Sequence, residues 1–295
     1  SEHLIGWTIF SIPVYGITQD PVFTHNFVRL LTFVLCGFGM YLLTYRYTQN
    51  RYAAFIAGIF FAFYGYRMAI QLHLLAMQWI PFMLLFLEKF FHSMKFRDIG
   101  LASVFFILSV LSSWYVGIFT TIIGVLFILG YILLDSEVRK RVMTKRSFMM
   151  ILISLAFIAI ILTPLALPYF EASTHYDAER DLDVPLNSSW SFDFIFIVNQ
   201  FGIPFFIFAL LGLFLHLTGL KYIKPDLNYV KLQKIPIIFA GIAIISFILS
   251  LGPVLKLNGE PTGILTPYYY IYSVFPYIAI IRDLARFSFI MSLAG

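Results

Sequence analysis

"IGLASVFFILSVLSSWYVGIFTTIIGVLFILGYILL", Ile99 to Leu134, runs for 36 residues without a charge. A helix crosses a bilayer in about 17 to 25 residues, so the stretch is too long for one ordinary span and short for two. Both flanks are basic: Lys95 and Arg97 precede it, and Arg139, Lys140 and Arg141 follow. Cytoplasmic loops carry the excess of Lys and Arg, so two basic flanks belong on one side of the membrane and need an even number of crossings. The spacing therefore predicts two antiparallel helices, near 99–112 and 116–134. They turn tightly at Ser112, Ser113, Trp114 and Tyr115, with the aromatic pair at the far interface.

The rest of the chain follows the same pattern. Of its 295 residues 60% are hydrophobic, 19% aromatic and only 12% charged, where soluble proteins carry about a quarter charged. Apolar segments recur along the whole length with short polar loops between them. The expectation is an all-α fold, a polytopic transmembrane bundle forming a single domain over 1–295, with no room for a soluble domain. Further helices are expected near 26–45, 52–67, 76–91, 148–167, 199–218 and 235–251, and another begins near 286. Ala54 with Gly58, and Ala53 with Ala57, give small-xxx-small faces for close helix packing.

Charge orders the loops. Of the 20 Lys and Arg, 14 gather at 46–51, 89–98, 139–146 and 221–234. These loops read as cytoplasmic, which accounts for the basic balance without nucleic acid as a partner. Inner segments sum to +9 and outer segments to −4, consistent with the net +5. The site-bearing face is thus expected to look out of a cell membrane. Residues 1–25 then form the remainder of the first outer loop. Their apolar run, broken by Gly6 and Pro13 and closed by "TQDP", reads as a short interfacial helix on the outer face. Ser1 enters without a basic n-region, and "ARFSFIMSLAG" stops after about nine apolar residues, so both ends read as truncations.

Polar groups beside spans are costly and tend to mark sites. "GYRMAIQLHLLAMQW" (65–79) concentrates Arg67, Gln71, His73, Gln78 and Trp79 in one outer segment; the alternative is an interfacial loop anchored to headgroups. The outer loop expected at 168–198 is the most polar part of the chain. Its acids at 177, 179, 181 and 183 leave a divalent cation open beside a solvated acidic loop, but Leu182 stands where an EF-hand needs Gly. The six histidines show neither HxxxH nor HExxH spacing, so no metal site is expected from them. No other cofactor is indicated. The lone Cys36 excludes an intrachain disulfide. Finally, "RDLAR" sets Arg282 and Arg286 on one helical face, with Asp283 beside them.

The stretches "SEHLIGWTIFSIPVYGITQDPVFTHN", "GFGMYLLTYRYTQNRYAAFIAGIFFAFYGYRMAIQLHLLAMQWIPFMLLFLEKF" and "FPYIAIIRDLARF" resemble a group of prokaryotic multipass proteins placed with the GT-C superfamily of membrane glycosyltransferases. The likeness is strong over the first 90 residues and weak between about 95 and 265. It implies a GT-C-like bundle whose partners are the lipid bilayer and a sugar linked to polyprenyl phosphate. It also implies a transferase that moves that sugar to an acceptor on the extracytoplasmic face. An acid in the first outer loop would act as base there, and cations would offset the departing phosphate. The principal Asp of that pattern is expected upstream of Ser1. Glu2 and His3 are then auxiliary catalytic groups, while Arg67, Gln71, His73, Gln78, Trp79, Arg282 and Arg286 bind substrate, and the fragment alone is expected to be inactive. The rival reading is a transporter of lipid-linked glycans or a non-catalytic membrane scaffold. No acid or lysine lies mid-span as a coupling site would prefer, which tilts against secondary transport.

Overall fold

The structure, a computed structural model, describes residues 4–63, 75–175, 193, 214, 234–274 and 287, with backbone alone for 169, 170 and 172–175. The described residues are mostly helical and form two compact units, 1–175 and 176–295. Among the described residues three helices are long and apolar enough to cross a membrane: α2 (Pro21–Thr48), α6 (Trp114–Leu134) and the first 24 residues, Lys145–Pro168, of α8 (Lys145–His175).

In the first unit α1 (Ile5–Thr18) ends on Gln19, whose left-handed backbone (φ 52°) turns the chain. α2 starts at once, because the Asp20 side chain accepts from the Val22 and Phe23 amides and Pro21 occupies a first-turn position where an amide hydrogen has no helical partner. α3 (Arg51–Phe63) returns against α2. Ala54 and Gly58 form its buried edge, while Ala53 and Ala57 stay half-exposed, so the first of the two small-residue faces is the one used. α4 (Trp79–Ser93) is buried nearly all round and packs on α2, on α5 (Phe96–Ser112) and on α6. That is the expected place for a helix apolar on every side.

The 36-residue uncharged stretch is a helical hairpin. α5 ends at Ser112 and α6 starts at Trp114, with Ser113 alone between them in extended conformation (φ −172°, ψ 138°). A seven-residue helix, α7 (Ser136–Val142), then makes an elbow into α8. In α8 the helix continues through Pro164 and Pro168 to His175. The outer loop expected to open at 168 therefore yields its first eight residues to helix.

The second unit departs from the all-α expectation. After α9 (Lys234–Ser250) comes an antiparallel hairpin, β1 (Val254–Leu257) and β2 (Glu260–Leu265), and then α10 (Pro267–Val274). Asn258 and Gly259 turn the hairpin at positive φ, 53° and 84°, the backbone that an Asn-Gly pair adopts readily. Asp193, from the acidic loop, braces it by accepting from the Gly259 amide at 2.6 Å. At the base of α10 burial pushes the Tyr268 hydroxyl up to about 12.

The topology gives a direct expectation. Ser136 precedes the α8 span and Ser173 lies near its far end, so single cysteines there in a Cys36→Ser background should react with an impermeant maleimide from opposite sides. Labelling of both from outside contradicts the charge scheme.

Candidate functional site

Gln78 is the residue before α4, and its side chain does not cap the helix. It is fully buried, and neither Nε2 nor Oε1 has a hydrogen-bond partner among the described residues. Leaving a primary amide dry and unpaired costs about 1 to 3 kcal/mol, which makes it a feature that packing alone does not explain. Trp79 follows. Its indole Nε1 donates to Ser112 Oγ at 3.3 Å, and that hydroxyl donates to the Leu108 carbonyl at 2.7 Å. Its ring stacks on Phe10 of α1 (centroids 6.1 Å) and on Phe105 of α5 (5.9 Å).

α1 crosses this end of the bundle at Gly6. A Cβ there would stand 2.8 Å from the Ser112 backbone nitrogen and run into the Ser112 hydroxyl, so only glycine permits the approach. Trp7 is buried beside it, with Nε1 unpartnered among the described residues. Two stretches singled out in the sequence, the first outer segment and the 65–79 segment, thus meet through Phe10, Trp79, Gly6 and Ser112. Gln78, one residue before Trp79 in the chain, adds an amide and Trp7 an indole that have no hydrogen-bond partner among the described residues; an amide can both donate and accept.

Of the residues expected to form the site, Trp79 belongs to this cluster and Gln78 precedes it in the chain, buried. Glu2, His3, Arg67, Gln71, His73, Arg282 and Arg286 lie outside the described residues, as do the acids at 177, 179, 181 and 183. No group of three His, Cys, Asp or Glu spaced for a metal occurs among the described residues. Sequence reasoning passed over Trp7 and Ser112, although "SSW" was read as the turn that places Ser112.

A second polar cluster lies at the other end of the same helices. Glu88 of α4 is buried; it accepts from Arg46 Nε of α2 at 2.9 Å, and its other oxygen pairs with His92 Nε2 at 3.2 Å. The Tyr131 ring of α6 closes over Phe91 (4.9 Å) and meets His92 edge-on. A buried carboxylate held by a guanidinium and an imidazole ties α2 to α4. The i, i+4 spacing of Glu88 and His92 was the available signal. Comparisons with protein-family models, with curated proteins and with solved structures found no match.

Proposed function

We propose that the chain is a membrane glycosyltransferase of the GT-C type, taking a sugar from a polyprenyl-phosphate carrier on the extracytoplasmic face and passing it to an acceptor. What supports the reading is the aromatic pair of Trp79 and Phe10 at the bundle end that α1 crosses, with the buried Gln78 amide, unpartnered among the described residues, one residue before Trp79 in the chain. A sugar presents adjacent hydroxyls to an amide and a C–H face to aromatic rings. Because Gln78 is closed from solvent, substrate reaches it by displacement of the elements that cover it. In the reaction the acceptor hydroxyl oxygen bonds to the anomeric carbon, the carbon–oxygen bond to phosphate breaks, and polyprenyl phosphate leaves. The hydroxyl proton goes to a carboxylate base assisted by Glu2 and His3. Arg67, Arg282 and Arg286 carry the phosphate charge, since guanidinium stays charged and offers a fixed fork of donors. Gln71 and His73, in the same stretch of sequence as Arg67, are assigned to substrate binding with it.

The transporter alternative would lean on Glu88 as a proton site. Arg46 already compensates that carboxylate, so it is suited to holding helices together.

Gln78→Leu in the full-length protein separates a binding role from a structural one. The binding role predicts opposite movements. Donor turnover falls about 10-fold or more with a lost contact of ~1.4 kcal/mol, while stability holds or rises by about 1 kcal/mol because an unpaired amide has left an apolar setting. Unchanged turnover, or a loss of stability that accounts for the lost activity, rejects the role of Gln78 in binding.

A further inference from the structure

The elbow between α6 and α8 joins two helices that are each long and apolar enough to cross a membrane, so it stands where both leave the hydrocarbon, at headgroup level. Its fold is set from both ends. The Asp135 side chain accepts from the Glu137 and Val138 amides, and Thr144 Oγ1 accepts from the Ser147 amide at 3.3 Å. Val138 and Ser147 are buried, which turns Arg139, Lys140, Arg141, Lys145 and Arg146 outward.

The structure also joins this elbow to a loop that is remote in sequence. Arg141 Nη1 reaches the His92 carbonyl at 3.4 Å and Ser147 Oγ meets Met94 Sδ at 3.4 Å. The exposed Lys95, at the start of α5, and Arg97, in its first turn, are therefore brought to the same side of the first unit. Lys140 has Glu137 at 3.8 Å and Arg97 has Asp98 at 3.4 Å. Arg139, Arg141, Lys145 and Arg146 have no carboxylate within 4.0 Å among the described residues. Beside them Phe96, Met143 and Phe148 are exposed apolar side chains, 52%, 72% and 57% accessible.

We infer that this two-loop surface is a binding site for anionic phospholipid. The uncompensated cations hold the phosphodiester headgroup, and the adjoining Phe96, Met143 and Phe148 lie against its glycerol and upper acyl region. Fixed guanidinium groups at a membrane surface match a phosphodiester in charge and geometry. Apolar side chains at the same depth favour a lipid over a soluble anion. Charge excess in a cytoplasmic loop needs only the sequence; a composite site needs the contacts of Arg141 with His92 and of Ser147 with Met94, which the structure supplies. The inference does not depend on the glycosyltransferase reading.

The test uses the full-length protein in nanodiscs of phosphatidylcholine doped with phosphatidylglycerol, with bound lipid read by native mass spectrometry after extraction. Wild-type protein should retain phosphatidylglycerol selectively, and retention should fall as salt rises during extraction. Lys145→Gln combined with Arg146→Gln, both at exposed positions without a carboxylate partner, should weaken that retention about 10 to 30-fold. Arg51→Gln, set against Lys145→Gln alone, removes one exposed charge at the start of α3 and should leave it unchanged. The site is refuted if the Lys145 and Arg146 variant keeps wild-type selectivity, if Arg51→Gln loses as much as Lys145→Gln, or if wild-type retention ignores salt.

Discussion

Arg46→Ala should destabilise the first unit by about 2 to 4 kcal/mol, measured as a shift of the unfolding transition in mixed detergent micelles. Removing the guanidinium leaves Glu88, whose side chain is 5% exposed, with His92 alone. Breaking a buried pair from one side typically costs about 3 to 5 kcal/mol, and the part-exposed position of Arg46 lowers the figure here. The reverse change, Glu88→Leu, should cost less, because an Arg side chain that is 42% exposed can turn to water. Arg46→Leu with Glu88→Leu should recover most of the loss, since no buried charge then remains. A cost for Arg46→Ala within the ±0.5 kcal/mol of an ordinary surface change would show that the pair does not join α2 to α4.

Gly58→Val should cost about 2 to 3 kcal/mol by separating α2 from α3. A Cβ at Gly58 would stand 2.7 Å from the Gly37 carbonyl oxygen, a backbone atom that moves only if its helix moves. Overpacking a fitted interface costs about 1 to 3 kcal/mol, with the rigid case at the upper end. Gly37→Ala is the milder probe, because its Cβ would find the Gly58 carbonyl at 3.3 Å. Close approach of this kind is how membrane helices gain packing without a hydrophobic drive between them. Equal stability of Gly58→Val and wild type would contradict the α2–α3 contact.

Local signals in the chain were legible in proportion to how local their physics is. The break at Ser113 was readable because a charge-free run between two basic flanks allows only an even number of crossings. The start of α2 was missed by five residues: "TQDP" was read as a turn and the helix expected from 26, whereas Asp20 and Pro21 open it; the Ala54 and Gly58 spacing did mark a close helix contact. Glu88 was not singled out, because one turn before a basic loop it resembles a rim carboxylate; only the return of α2 sets Arg46 against it. The helix was expected to end at 167, yet a proline at 168 removes a single helical hydrogen bond and α8 runs on to His175. The Asn258-Gly259 turn was a readable hairpin signal that the surrounding apolar pattern overshadowed. In the site, polar density pointed to 65–79, but the meeting of Trp79 with Phe10 and Ser112 depends on α1 folding over the bundle, which no spacing encodes.

The most direct measurement of the proposed activity follows the carrier lipid. Full-length protein in proteoliposomes would be supplied with a panel of polyprenyl-phosphate-linked hexoses and a mixed acceptor extract, and free polyprenyl phosphate would be quantified over time. A glycosyltransferase site predicts that at least one donor is cleaved, with polyprenyl phosphate appearing in step with sugar on the acceptor, and with the rate reduced in Arg67→Lys and Arg282→Lys, which keep charge but lose the guanidinium fork. Movement of the intact lipid-linked sugar from one leaflet to the other, with no bond broken for any donor, would contradict it and establish transport in its place.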